Sequence, residues 1–180
     1  RLNAPVSFGI REIAPRIPHL LQRHPELSID LGLNDRYVDL IEEGWDLVIR
    51  IGNLKDTSMV ARRLAPCKTV VAASPAYLAA RGTPRTIADL RQHNSLGYTL
   101  SRTVGENRWS FGPDAKVSVD IKGSLKANNG DALISAALAG CGIIYSPTFL
   151  VSRPISEGRL VPLELDHAAI GLDGIFAVYP

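Results

Sequence analysis

Short apolar runs that stop at polar turn residues alternate with helix signals along most of this chain, and that alternation points to an open α/β sheet. Leu27, Ile29, Leu31 and Leu33 alternate with smaller or polar residues, the period of a strand, and Asn34-Asp35-Arg36 closes the run. Val38–Glu43 reads as a short helix with Gly44 as its left-handed cap. Leu47-Val48-Ile49 then forms the continuous apolar run of a strand buried on both faces. The unit is predicted to be β-α-β with parallel strands. Upstream, Ile10, Ile13, Ile17, Leu20 and Leu21 recur at three- and four-residue spacing on one helix face, which Pro15 and Pro18 should kink or restart.

The same grammar continues downstream. Lys68–Ala73 is an apolar strand, Ser74-Pro75 supplies an N-cap and a proline at the first helical position, and the helix Pro75–Arg81 ends at Gly82. A weaker helix near Ile87–Arg91 and a strand around Leu96–Thr99 follow. Trp109-Ser110-Phe111 leads into the alternating Val117, Val119 and Ile121. Asn128-Asn129-Gly130-Asp131 caps an Ala-rich helix, Ala132–Ala139, which Gly140 and Gly142 end; Ile143-Ile144-Tyr145 is a further buried strand. The middle section has the character of a second lobe. No repeat or Gly/Ser-rich linker separates it, so the lobes are expected to be joined by short chain crossings.

With 180 residues the chain has room for one large domain or two small lobes. A composition of 46% hydrophobic and 21% charged residues with formal net charge +2 is ordinary for a globular protein and argues against a nucleic-acid-binding surface. Basic residues are scattered among acidic ones, with only Arg62-Arg63 as a pair. Cys67 and Cys141 have neither zinc nor redox-dithiol spacing and read as reduced core thiols. No apolar run approaches a membrane span and no signal peptide is visible, so a cytoplasmic protein is expected. The start at Arg1 and the stop at Tyr179-Pro180, after the strand-like Ile175–Val178, suggest a piece of something longer.

An enzyme would need a nucleophile, a metal or a cofactor loop, and the chain shows no G-x-S-x-G, H-E-x-x-H or P-loop pattern. Gly140-Cys141-Gly142 is read as a helix end. His19, His24, His93 and His167 lack ligand spacing and read as surface residues. No catalytic residue, metal or cofactor is expected. What remains is a set of polar residues at strand ends and helix starts, where open α/β sheets bind ligands: Ser7, Asn34, Asp35, Arg50, Asn128 and Asn129. Ser7, read as preceding the first helix, is either a plain N-cap or a contact for a carboxylate. Arg50, after a buried strand, either meets an anion or pairs internally with Asp35, Asp46 or Asp56. Tyr98, Tyr145 and Phe149 line an apolar wall or are simply core.

Several segments together resemble the effector-binding (substrate-binding) domain of LysR-type transcriptional regulators. They are Ala4–Gly9, Asp35–Gly52, Ala73–Leu78, Asn128–Leu133 and Ala137–Ile143, in order and at the family's spacing. The resemblance implies an α/β, two-lobed periplasmic-binding-protein-like (type 2) fold with open mixed sheets and flanking helices. Lobe I would comprise 1–72 and 174–180, and lobe II 73–173. It implies an effector-binding site of Ser7, Phe8, Asn34, Asp35, Arg50, Ile51 and Gly52 from the first lobe, with Tyr98, Asn128 and Pro147 from the second. The effector, a small molecule and by charge an organic anion, would sit in the cleft between the lobes and modulate DNA binding and transcription by population shift rather than chemistry. It further implies a homodimer or homotetramer, a DNA-reading winged helix-turn-helix that would precede Arg1, and RNA polymerase as a partner of the full-length protein. The chain by itself is not expected to bind an operator. The rival readings are a free-standing solute-binding protein of a transporter and a small enzyme of the same fold, the latter lacking a visible acid–base pair.

Overall fold

The structure, a computed structural model, describes residues 1–52, 54, 59–101 and 104–180. Its strands and helices run β1 (Leu2–Ala4), α1 (Val6–Phe8), α2 (Ile17–Arg23), β2 (Leu31–Leu33), β3 (Leu47–Ile51), β4 (Val60–Ala73), α3 (Pro75–Arg81), β5 (Gly97–Tyr98), β6 (Arg108–Phe111) and β7 (Val117–Asp120). They continue through β8 (Lys126–Ala127), α4 (Gly130–Leu138), β9 (Ile144–Pro147), α5 (Thr148–Ser156), β10 (Val161–Pro162) and β11 (Gly171–Tyr179). The chain divides into two compact units, Arg1–Cys67 with Leu172–Pro180, and Lys68–Gly171. The long strand β4 contributes residues to both.

In the first unit the strands lie in the order β2-β1-β3-β11-β4. The strand β1 pairs parallel with β2 (Leu2↔Leu31 to Ala4↔Leu33) and with β3 (Leu2↔Leu47), as the β-α-β pattern implies. The last strand, β11, returns antiparallel against β3, Ile175 opposite Ile51 and Val178 opposite Val48. Val38, Leu40, Val48 and Val178 form the core, with Trp45, Met59 and Phe176 packed on it.

Three local expectations are corrected here. Residues 38–43 do not form the expected helix: Val38 and Leu40 are buried while Tyr37, Asp39 and Ile41 are exposed, and residues 40–44 make a turn in which the Glu43 N–H donates to the Asp39 carbonyl at 3.1 Å and the Trp45 N–H to the Leu40 carbonyl at 2.9 Å. Asp39 Oδ1 then accepts the N–H groups of Ile41 and Glu42, turning the chain, and Gly44 at φ +68° takes the left-handed conformation expected of it. The second strand covers only Leu31–Leu33, so Leu27 and Ile29 precede it. The first helical run begins at Val6 rather than after Ser7. It absorbs Pro15 and Pro18 by changing its winding, with a π turn at Gly9–Ile13 and a 3-10 turn at Ala14–Arg16 before α2. Each proline falls in the first turn of its segment, where its missing N–H breaks no helical bond.

In the second unit a ribbon of parallel segments runs beside antiparallel ones. Residues 94–98 lie between 122–127 and 143–147, bridged in parallel at Asn94↔Lys122, Ser95↔Ile143, Gly97↔Lys126 and Tyr98↔Ala127. The strand β9 pairs antiparallel with β4 (Val71↔Tyr145), and β10 pairs antiparallel with β4 on its other side. The helices α4 and α5 cover this sheet through Leu133, Ile134, Ala137, Leu150 and Val151, packed with Leu96, Ile144 and Leu160. As expected, Ser74 caps α3, its Oγ accepting from Tyr77 N at 3.4 Å, and Gly82 follows at φ +82°. The α4 cap is Asn129, whose Oδ1 accepts from Asp131 N and Ala132 N. Helix α5 carries no such signal: Pro147 precedes it and Pro154 lies inside it.

Two glycines make the ribbon close enough to bond. A Cβ on Gly123 would lie 1.8 Å from the Ser95 carbonyl oxygen, and one on Gly142 would lie 2.3 Å from that of Asn94. Gly142 is therefore a packing glycine, while Gly140 at φ +81° ends the helix. Cys67 is buried as expected and burial pushes its thiol pKa up. Cys141 is instead exposed: it follows the turn at Gly140, and its carbonyl accepts from Asn94 Nδ2. Gly123→Ala is expected to lower stability by about 1–3 kcal/mol or more, because the new methyl meets backbone that cannot move aside. Gly171→Ala, with nothing within 4 Å of its Cβ, should stay within about 0.5 kcal/mol. Urea unfolding of the two variants checks the contrast.

Candidate functional site

Parallel pairing sends β1, β2 and β3 out of the sheet at one edge, and the polar residues singled out in the first unit follow those strand ends. Ser7 and Phe8 lie in the first helical turn after β1, both buried. Asn34 and Asp35 follow β2 directly, and Arg50 and Ile51 close β3 before Gly52.

Short hydrogen bonds tie these ends together. The Asn34 N–H donates to the Ala4 carbonyl at 2.9 Å, and Asn34 Oδ1 accepts the Arg36 N–H at 3.0 Å, the side-chain turn expected after a strand. Asp35 Oδ1 accepts the Val6 N–H at 2.9 Å. The carboxylate of the β2 end thus satisfies a donor at the start of the first helical run, where negative charge is favoured. Ser7 is not the N-cap: Pro5 holds that position and offers no side-chain acceptor, so the capping acceptor comes from Asp35 in the neighbouring strand's loop.

Arg50 has partners that the sequence did not suggest. Its Nη1 donates to the Tyr37 hydroxyl, its Nη2 donates to the Val38 carbonyl at 3.1 Å, and the guanidinium lies 4.0 Å from the Tyr37 ring centroid. A cation over an exposed tyrosine gains about 0.5–1 kcal/mol. Of the acids weighed as ion partners, Asp35 holds Val6, Asp46 faces Arg1, and Asp56 lies outside the described residues. Tyr37 is the residue missed in this site. Only its place two residues after Asp35 could have drawn attention to it.

In the second unit Tyr98, Asn128 and Pro147 also fall at the ends of parallel segments. The Thr99 N–H donates to the Ala127 carbonyl at 2.9 Å, which keeps the ends of β5 and β8 level. Tyr98 is half-buried and packs with Phe149 against the core, Asn128 is exposed, and Pro147 closes β9 opposite Thr69. Tyr145 is core: its hydroxyl is buried and burial raises its pKa, against hydrogen bonds with Ile170 and Thr69. Of the histidines, His19, His24 and His167 are exposed; His93 Nδ1 lies 3.1 Å from the Tyr77 hydroxyl, which also accepts the Asn94 N–H. Burial holds the His93 pKa below its ordinary value. Among the described residues no group of three His, Cys, Asp or Glu side chains could hold a metal ion, and no helix is long and apolar enough to cross a membrane.

With strand order, cap and site placed, the chain can be compared with known proteins. It matches the LysR substrate binding domain family over residues 1–180. The chain belongs to that family. This LysR substrate-binding domain is 34% identical over 180 residues to an HTH-type transcriptional regulator of Haemophilus influenzae, covering 99% of this chain and 62% of that protein. It is 32% identical over 179 residues to the HTH-type transcriptional regulator CrgA of Neisseria meningitidis, covering 99% of this chain and 59% of that one. The domain thus spans about three-fifths of the length of these relatives. In structure it is similar to the CrgA regulatory domain, with a TM-score of 0.84 and 31% identity over 99% of this chain and 86% of that chain. The regulatory domain of AphB from Vibrio vulnificus follows at a TM-score of 0.81 and 26% identity, covering 99% and 88%. These likenesses agree with the two-lobed type 2 periplasmic-binding-protein-like fold, and the relatives are transcriptional regulators rather than transporter components or enzymes.

The Asp35 bond to Val6 yields a direct test. Asp35→Ala is expected to lower stability by about 0.5–2 kcal/mol, the loss of a capping acceptor. Asp35→Asn, which keeps an oxygen for the same N–H, should retain most of it. Thermal melts of both variants decide, and equal losses would show that charge rather than the hydrogen bond holds the helix start.

Proposed function

We propose that this chain is the effector-sensing domain of a LysR-type transcriptional regulator, and that it makes and breaks no bond. The observation that carries the reading is the placement of Ser7, Asn34, Asp35 and Arg50 at the shared carboxyl edge of β1, β2 and β3, in a chain that belongs to this family. Tyr98, Asn128 and Pro147 hold the equivalent strand ends in the second unit and complete the proposed effector set with Phe8, Ile51 and Gly52.

A small organic anion suits the polar set. Arg50 supplies the charge, and Ser7 and Asn34 supply neutral hydrogen-bonding groups. Because Asp35 already holds the Val6 N–H, the helix start by itself is a weak attractor, and Arg50 carries the preference for negative charge. Binding selects one arrangement of the domain over others, and in the full-length protein that selection alters DNA binding by a winged helix-turn-helix and the response of RNA polymerase. The regulator works in the cytoplasm as a homodimer or homotetramer. The exposed apolar residues Ile10, Leu20, Leu27 and Leu33 on and beside the first helical run support self-association.

The test is the thermal midpoint of the chain with a panel of small aromatic and aliphatic carboxylates such as benzoate and succinate, repeated on a Ser7→Ala, Arg50→Ala double variant. An effector at a hundredfold over its Kd adds about 2.7 kcal/mol, roughly 5–10 °C for a domain of this size. A shift of that order that disappears in the double variant is the expected result. A shift that survives the variant would place the anion elsewhere, and no shift with any carboxylate would remove the anionic effector from the account.

A further inference from the structure

Arg50 is half-buried near the end of β3, and among the described residues no carboxylate bonds to it. Other arginines of the same unit differ. Arg36 is paired with Glu43 and Arg1 with Asp30. Acids are plentiful between β2 and β3, yet Asp35 bonds to the Val6 N–H, Asp39 to the Ile41 and Glu42 N–H groups, and Asp46 to Arg1. Arg50 is oriented instead by two neutral acceptors, the Tyr37 hydroxyl and the Val38 carbonyl, with its guanidinium over the Tyr37 ring. The side chain is held in place while its positive charge is left uncancelled.

A guanidinium carries five N–H donors, and these bonds use two of them. The Tyr37 hydroxyl accepts from Arg50 Nη1, so its own proton is left to donate, and no hydrogen bond among the described residues takes it. A hydroxyl that accepts from a cation is polarised by it and becomes a stronger donor. Tyr37 is 67% exposed, so that donor is open to a ligand. A phenylalanine would offer the cation the same kind of ring, so stacking does not account for the oxygen. What the oxygen adds is a second donor beside a charged one. Two adjacent donors, one of them cationic, suit the two oxygens of a carboxylate.

We propose that Tyr37 and Arg50 form a carboxylate-binding pair, in which an Arg50 N–H meets one oxygen and the Tyr37 O–H meets the other. Tyr37, absent from the effector set above, is thereby a binding residue. The regulatory meaning of the pair rests on reading Arg50 as an effector contact, and the pair makes that contact specific for a carboxylate.

The experiment titrates the whole chain, labelled with nitrogen-15, with sodium acetate, benzoate and succinate at constant ionic strength set by chloride. Nuclear magnetic resonance reads the Arg50 side-chain Nε–H and the Tyr37 amide. A saturable displacement of both signals is expected with a carboxylate and none with chloride alone. Tyr37→Phe keeps the ring and should keep the parent's thermal midpoint, but it is expected to bind the same carboxylate about tenfold more weakly, the loss of one hydrogen bond to a charged group. Arg50→Lys keeps the charge without the fork and should also weaken binding about tenfold, read at the Tyr37 amide. An Arg50 Nε–H that responds to none of the three carboxylates overturns the pair. So does an affinity unchanged in Tyr37→Phe, which would leave Arg50 acting alone; if that variant does not fold, an affinity unchanged in Arg50→Lys overturns it equally. The acetate titration separates this failure from that of the effector reading. Stabilisation of the chain by benzoate or succinate with the Arg50 Nε–H silent would overturn the pair and leave the anionic effector standing. Saturable binding of acetate at Arg50, weakened in Tyr37→Phe, would support the pair even if benzoate and succinate fail to stabilise the chain.

Discussion

Parallel pairing of β1 with both β2 and β3 is the constraint from which the first unit follows. Parallel strands cannot be joined by tight hairpins, so each connection must cross back over the sheet, and every strand leaves at the same edge. The residues after Ala4, Leu33 and Ile51 are thereby gathered at one edge although they are far apart in sequence. Backbone donors at that edge need partners, and the carboxylate of Asp35 on the Val6 N–H is one answer the sequence supplies. The same argument holds inside the second unit, where the parallel ribbon of residues 94–98, 122–127 and 143–147 places Tyr98, Asn128 and Pro147 at strand ends.

Signals that act within a few residues were legible in the sequence. Ser74-Pro75 and Asn129 read as caps because a side-chain oxygen reaches an N–H two or three residues on, and nothing distant alters that. Gly44, Gly82 and Gly140 read as left-handed positions for a similar reason. Patterns whose meaning depends on distant packing were harder. The Val38–Glu43 stretch carries enough apolar residues for a helix, but Val38 and Leu40 are buried against Val48 and Val178 and the chain makes only a turn over residues 40–44. Helix α5 forms without a cap and in spite of Pro154, because Leu150 and Val151 are buried against α4 and the sheet.

The candidate site was legible by position and less so by chemistry. The resemblance gave residue numbers at strand ends, and the strands do end there. Neither spacing nor composition could show that Asp35 caps the first helical run, or that Arg50 stacks on Tyr37 rather than on an acid. Both contacts join segments that meet only after the parallel sheet forms. The buried hydroxyl of Tyr145 belongs to the same class: as a sequence letter it is one aromatic in an apolar strand, and its hydrogen bonds with Ser110 and Ile170 form only when distant segments meet.

We propose that the carboxyl edge of the first unit's parallel strands is where the effector is met. Amide chemical-shift mapping of the chain, titrated with whichever carboxylate stabilises it, tests this most directly. The account predicts saturable shifts concentrated at Ser7 and Phe8, at Asn34 to Tyr37 and at Arg50 to Gly52, with a second group near Tyr98 and Asn128. Saturable shifts confined to the exposed face of α2, or scattered over α4 and α5 with those residues silent, would contradict it.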